Sequence, residues 1–343
     1  MRTIDFRQLV ETKAIGEILA QYPVARDFLV NFNLADLPQT FPLAAALEQV
    51  DEVRFADFGL TRADVVDQFI LFLETLIERN PVHDKIDSIT ILGGQDKQGN
   101  QENVCLTIHA GQIISIVGST GSGKSQLLSD IECIAQRDTP TKRQILVNGK
   151  ALNDEARFKM GGKLVAQLSQ NMNFVMDLSV AEFLEMHTKS RMCQNSAQVI
   201  RQCFACANEL AGEKFAAETK VTQLSGGQSR ALMIASTAHI SASPIVLIDE
   251  IENAGVDRKQ AIQLLAKKEK IVLISTHDPL LALNADKRIV IKNGGIYKII
   301  KTSAQERQSL SRIEALDSTL QAVRHQLRMG NLIELTDLKE EKT

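Results

Sequence analysis

The sequence has no tryptophan, only two tyrosines and an aromatic fraction of 4%. Between Phe72 and Phe158 there is no phenylalanine, tyrosine or tryptophan. No apolar run approaches the roughly 20 residues that a membrane-spanning helix requires, so any membrane role falls to a separate chain. The opening Met-Arg-Thr-Ile-Asp-Phe leads into no apolar core, unlike a secretory signal. A basic excess is also missing. Lys and Arg number 39 against 42 Asp and Glu, a net charge of −3, which speaks against nucleic acid as a partner. The five cysteines are odd in number and irregularly spaced. Cys203 and Cys206 form a CxxC, but no second pair follows as a zinc site would need. These absences indicate a cytoplasmic protein with reduced thiols, whose alternative place is the inner face of the membrane.

The chain has 343 residues, 44% of them hydrophobic, enough for two domains and a core that needs no disulfide. Residues 1–82 read as a small helical unit. Ile15, Ile18 and Leu19 recur at helical spacing until Tyr22-Pro23, and Val24, Phe28 and Leu29 resume it. Thr61-x-x-Asp64 has the form of a capping box before a helix that Asn80-Pro81 ends. From about residue 86 the pattern becomes α/β. Ile89–Leu92, Val104–Ile108 and Ile113–Val117 read as strands, and Lys124–Ala135 as a helix. Ile245–Ile248 and Ile271–Ser275 read as buried parallel strands. Near the C-terminus Ile313, Leu316, Leu320, Val323 and Leu327 recur at spacings of three and four. That seam predicts a helix packed on its own domain, with dimerisation as the alternative.

Three motifs carry chemistry. Gly118-Ser119-Thr120-Gly121-Ser122-Gly123-Lys124-Ser125 fits the phosphate-loop pattern GxxxxGK[ST] between a strand and a helix. Glycines permit a tight loop whose N–H groups cradle phosphate oxygens, and the helix N-terminus faces the same anion. Lys124 reaches the β- and γ-phosphates, and Ser125 offers a hydroxyl to Mg²⁺. Asp249 and Glu250 end the apolar run from Ile245. Two acids there need a cation or polar partners, with Asp249 placed for Mg²⁺ and Glu250 for polarising an attacking water as general base. Third, Leu224-Ser225-Gly226-Gly227-Gln228 precedes a helix read from Arg230 to about Ala238, and Ser225 with the glycine N–H groups makes a second anion site.

In this order, the motifs resemble those of ATP-binding-cassette (ABC) ATPases over about residues 86–300. The resemblance implies an α/β phosphate-loop core: a mixed sheet with flanking helices and a helical subdomain at about 171–230. This core would span 86–302, after the small all-α N-terminal domain and before a C-terminal helix and tail at 303–343. It implies hydrolysis of ATP with Mg²⁺ at a head-to-tail dimer interface, where Ser225, Gly226, Gly227 and Gln228 face the γ-phosphate held by the opposing subunit. That subunit is a second copy of the chain or a related ABC subunit. Gln170, ten residues before Val180, matches the family's glutamine that contacts Mg²⁺, and Gln167 is the competing assignment. His277 matches the histidine that contacts γ-phosphate, and Asp257 the key aspartate of the loop crossing the dimer interface.

The sequence departs from the family at several points. The adenine-stacking aromatic, expected near Gln95 to Asn100, is missing. Ile251 stands where transporters usually have proline, Asp257 comes one residue late, and the stretch to Ile271 is short. The N-terminal unit looks like a small helical domain found ahead of iron–sulfur or di-iron proteins such as cluster-repair proteins. There the segment corresponding to Asn33-Leu34-Ala35-Asp36 often ends in cysteine. Its absence here favours docking or regulation over metal binding. Taken together, the departures favour a soluble ATP-driven assembly or reactivation factor acting on another enzyme. The alternative is the motor subunit of a membrane transporter with a separate transmembrane partner.

Overall fold

The computed structural model describes residues 5–51, 53–56, 58–79, 85–160, 164–169, 174–191, 193, 195–249 and 257–333. Contacts divide the chain into two units, Met1–Lys85 with Leu178–Cys203, and Ile86–Asp177 with Phe204–Thr343.

The first unit is helical. It contains α1 (Phe6–Thr12), α2 (Ile15–Gln21), α3 (Ala25–Asn31), α4 (Leu43–Leu47), α5 (Val53–Ala56) and α6 (Arg62–Arg79). The capping box forms as the sequence predicts: Asp64 Oδ2 accepts from Thr61 N at 2.8 Å, and Thr61 Oγ1 accepts from Asp64 N at 3.3 Å. Val65, Phe69 and Leu73 of α6 close over Ile15, Ile18, Leu43 and Leu47. Phe28 sits among aromatic neighbours, its ring centroid 4.6 Å from Phe32, 5.1 Å from Phe69 and 5.4 Å from Phe72. Phe6, Tyr22, Phe28 and Phe69 are buried in this small core with Phe32 and Phe72 packed against it, and such rings bury a large apolar area each.

The second unit holds two sheets. Strands β1 (Ser88–Leu92), β2 (Cys105–His109), β3 (Ile113–Val117) and β4 (Gln144–Val147) are joined in sequence by α7 (Lys124–Glu132) between β3 and β4. Helix α8 (Asp154–Met160) and β5 (Val165–Leu168) follow. Helices α9 (Val180–Ser190), α10 (Ser196–Leu210) and α11 (Gly226–His239) come next, α9 and the start of α10 lying in the first unit. The remainder is β6 (Ile245–Asp249), α12 (Arg258–Lys267), β7 (Ile271–Ser275), α13 (Pro279–Asn284), β8 (Lys287–Lys292), β9 (Gly295–Lys301) and α14 (Ala304–Arg328). A three-stranded antiparallel sheet has the order β2-β1-β4, and a six-stranded sheet the order β5-β6-β7-β3-β8-β9. The larger sheet is parallel except for β9, which runs antiparallel to β8.

The apolar runs explain its centre. In β6 and β7, Ile245, Leu247, Ile271 and Leu273 enter one core, while Val246, Ile248, Val272 and Ile274 enter the other. A strand buried on both faces needs apolar residues at every position, which is why these segments carry no alternation. Leu127, Leu128 and Ile131 pack α7 into the first of these cores.

Two helix ends differ from expectation. Helix α7 stops at Glu132, not Ala135, because Ile134 takes a left-handed φ of 48° and Ala135 N turns back to Asp130 O at 2.8 Å. Helix α11 begins at Gly226, four residues before Arg230, because a side-chain cap at Ser225 starts the helix despite two glycines in its first turn. Helix α14 does pack on its own unit, through buried Leu310 and the Lys259–Glu314 pair at 2.7 Å, yet Leu316 and Leu320 of the predicted seam remain more than half exposed.

Candidate functional site

The strand order sets the site. β6, β7 and β3 are adjacent and parallel, so their carboxyl ends share one edge. Ligands of open α/β sheets bind outside that edge. Asp249 pairs with Ser275, and Ser275 with Ile116. Two inter-strand steps place Asp249 roughly 10 Å from Ile116. Gly118 opens the phosphate loop two residues after Ile116, and the Thr276 N–H donates to Ile116 O at 3.1 Å, tying the His277 turn to the same strand.

Lys124 is buried at the first position of α7. Its Nζ donates to Gly118 O at 3.0 Å and Ser119 O at 3.4 Å, and lies 3.1 Å from His277 Nε2. An ammonium can only donate, so His277 accepts through Nε2 and carries its ring proton on Nδ1. The structure therefore brings the lysine of the loop and the histidine after β7 into direct contact, although 153 positions separate them. Gly123 caps α7 with φ 108°, and a Cβ there would stand 2.8 Å from Gly294 Cα. Only glycine fits both the left-handed backbone and the close approach. The hydroxyls of Ser122 and Ser275 are buried without a hydrogen-bond partner among the described residues. Unpaired buried hydroxyls beside a phosphate loop favour a polar ligand there. Ser125, exposed one residue into α7, and Asp249, at the end of β6, supply a hydroxyl and a carboxylate, oxygen donors suited to Mg²⁺.

The residues expected to form a second anion site stand at the start of α11. Ser225 Oγ accepts from Gln228 N at 3.3 Å, and Gln228 Oε1 accepts from Ser225 N at 2.9 Å. Gln228 Nε2 also reaches Glu213 O at 3.3 Å, which anchors the turn to the preceding loop. Ser225 and Gly226 are exposed, and a Cβ on Gly226 would meet nothing within 4 Å. Among the described residues, nothing stands over this helix N-terminus.

Asp257 caps α12, accepting from Gln260 N at 2.9 Å. Its neighbour Arg258 pairs with Asp278, the residue after His277, so the ends of these two turns are linked. Arg258 also lies 3.6 Å from Asp317 of α14. Gln167 lies inside β5 rather than after it. Its amide, with nitrogen toward the carboxylate, donates to Glu132 Oε1 at 3.0 Å. Gln170, Glu250 and Ile251 lie outside the described residues. Gln95, Asp96, Lys97, Gln126 and Gly294 line a cavity of about 370 Å³ beside Gly123. Asp96 shapes its loop, with Oδ1 accepting from Gln98 N at 2.8 Å and Asn100 N at 2.9 Å. Sequence reasoning missed Lys97, Arg143 and Gly294 on this side of the loop, because their contacts span long sequence separations with no local pattern.

Comparison with known proteins fits this geometry. The family model described as ABC transporter matches residues 101–253. An uncharacterized ABC transporter ATP-binding protein of Methanocaldococcus jannaschii is 49% identical over 255 residues, covering 74% of this chain and 97% of that protein. The lipoprotein-releasing system ATP-binding protein LolD of Psychrobacter arcticus is 29% identical over 198 residues, covering 55% of this chain and 85% of its own length. Among solved structures, cbiO1 from Clostridium perfringens, described as part of an ABC transporter complex, aligns with a TM-score of 0.50 and 19% identity. That alignment covers 72% of this chain and all of cbiO1, and supports the fold alone. The chain belongs to the ABC transporter ATP-binding family and is an ATP-hydrolysing cassette.

Proposed function

We propose that this chain is the motor subunit of an ABC transport system, in which two cassettes close head to tail on ATP and drive a separate membrane-spanning partner. The observation that carries the reading is the outward-facing N-terminus of α11. Ser225 and Gly226 form an anion site that nothing among the described residues covers, as a phosphate held by an opposing cassette requires. Within one cassette Lys124 and the N–H groups of residues 119–125 bind the β- and γ-phosphates. Ser125, Asp249 and Gln170 hold Mg²⁺, which offsets phosphate charge. Glu250 orients the attacking water and takes its proton. His277 contacts the γ-phosphate, and Asp257 lies at the interface between cassettes.

The relatives' names move the balance toward transport, reversing the order that the sequence departures favour. No described helix is long and apolar enough to cross a membrane, so the transport pathway would lie in another chain. The soluble assembly or reactivation factor remains a second reading, favoured by the N-terminal helices with their own aromatic core. Cross-linking a Glu250→Gln variant in cells, then fractionating membranes, separates the two. An integral multi-span partner supports transport, and a soluble enzyme as partner supports the second reading.

Two smaller expectations follow from the site. Ser225→Arg places a bulky cation at the start of α11. It should leave nucleotide affinity within about threefold, because its own phosphate loop is untouched, while hydrolysis falls on the order of 10²-fold as the second anion site is lost. Equal hydrolysis by the variant and the wild type would sink the split site. Among the described residues, no aromatic side chain lines the cavity beside Gly123. Loss of a base–aromatic stack removes about 1–3 kcal/mol and leaves the base plane unfixed. The kcat/KM ratio of ATP to GTP should then lie within about tenfold, and a preference on the order of 10³ or more would contradict it.

A further inference from the structure

Arg143, the residue before β4, is 0% exposed, and the carboxylates facing it are nearly as buried, Glu102 at 3% and Asp130 at 0%. Its Nη2 donates to Glu102 Oε1 at 2.6 Å and to Gly294 O at 2.7 Å. Nε donates to Glu102 Oε2 at 3.0 Å, and Nη1 to Asp130 Oδ2 at 2.9 Å. Burial works against the charge on both sides. The carboxylates outweigh it for Arg143, whose pKa is raised. For Glu102, Arg143 with the N–H groups of Gly94 and Ile296 outweighs it and holds the carboxyl below its ordinary value. One side chain therefore joins β4, the segment before β2, the phosphate-loop helix α7 and the turn between β8 and β9.

That turn is what touches the phosphate loop. Gly294 N donates to Ser122 O at 2.7 Å, and Gly294 Cα lies against Gly123. Asn293 O accepts from Lys97 N at 3.0 Å, and Lys97 Nζ donates to Gly121 O at 3.1 Å. Gly121 and Ser122 are thus held from outside at their carbonyls, which face away from a phosphate cradled by the loop N–H groups, while Gly123 packs against Gly294. Stability alone is a poor reason for such an ion cluster, since apolar residues of the same volume serve as well or better. A fork of donors fixes direction: here Nε and Nη2 grip both oxygens of Glu102, and that hold leaves Nη2 aimed at Gly294 O as well.

The geometry points to Arg143 as a positioning residue for nucleotide binding: it clamps the Gly294 turn so that Gly121, Ser122 and Gly123 keep their phosphate-binding conformation. This rests on the reading that residues 118–125 bind the nucleotide phosphates. Arg143→Lys keeps the charge but loses the fork. In the full chain it should raise KM for ATP, and the Kd of a fluorescent ATP analogue, on the order of 10-fold or more, with a smaller change in kcat. Gly294→Ala leaves the ions in place, but its Cβ would meet Lys97 Cγ at 2.7 Å from a backbone φ of 81°. It should raise Kd likewise, and the double variant should show less than the product of the two effects, because both act through one turn. A lowered Tm with unchanged Kd in Arg143→Lys, or unchanged Kd in Gly294→Ala should the first variant not fold, overturns the clamp. Lys124→Ala separates the two claims. If it loses nucleotide while both clamp variants bind normally, only the clamp falls, and if it binds normally, the phosphate-loop assignment falls with it.

Discussion

Lys124→Ala should abolish nucleotide binding at the concentrations that saturate the wild type. Lys124 is the one buried lysine of the phosphate loop, and its ammonium is held by Gly118 O, Ser119 O and His277 within hydrogen-bond reach. Those contacts keep the charge poised at the strand ends before any phosphate arrives. Bonds between charged groups contribute about 1.5–3 kcal/mol each, and two phosphates lose theirs together. The expected loss is on the order of 10²–10⁴-fold in Kd, by the conversion of about 1.4 kcal/mol per decade. Titration with a fluorescent ATP analogue checks it, with circular dichroism to show that the fold persists. Affinity within a few-fold of the wild type would mean that the nucleotide does not sit on this loop.

Glu250→Gln should separate binding from chemistry. Glu250 follows in sequence directly after Asp249, and Asp249 ends β6. Glutamine keeps the size and the hydrogen-bonding reach but cannot take a proton. General-base catalysis contributes on the order of 10²–10⁴-fold, and single-turnover phosphate release should fall by that factor. The Kd for ATP should stay near the wild-type value, since the lysine and the loop N–H groups remain. Turnover within threefold of the wild type would remove Glu250 from the role of base. A loss of binding equal to the loss of rate would make its contribution structural.

The parts of this site that were legible in sequence are local. Ile113–Val117, the glycine loop and the start of α7 form one continuous strand–loop–helix segment, and each residue type there has a job that its neighbours define. The strands Ile245–Asp249 and Ile271–Ser275 were readable because burial on both faces demands unbroken apolar runs. β8 escaped the reading because Lys287, Arg288 and Lys292 interrupt it, and β9 because its outer face is exposed and polar. The end of α7 was misplaced because Ile134 adopts a left-handed φ that β-branched residues rarely take, so nothing in its identity announces a stop. Gln167 looked like a candidate for the glutamine after the strand. Pairing with Leu247 places it within the strand instead, a matter of register that sequence does not display. The Arg143 cluster was invisible for a similar reason. Its partners lie 13, 41 and 151 positions away, and a single arginine ahead of an apolar strand ordinarily marks a solvated edge.

The most direct test of the central claim, a nucleotide site completed across two copies of the chain, is light scattering on Glu250→Gln with and without saturating ATP and Mg²⁺. The account predicts that ATP doubles the mass of the variant, that ADP does not, and that adding Ser225→Arg returns it to a monomer. A variant that stays monomeric with ATP bound would contradict the split site, whatever its rate of hydrolysis.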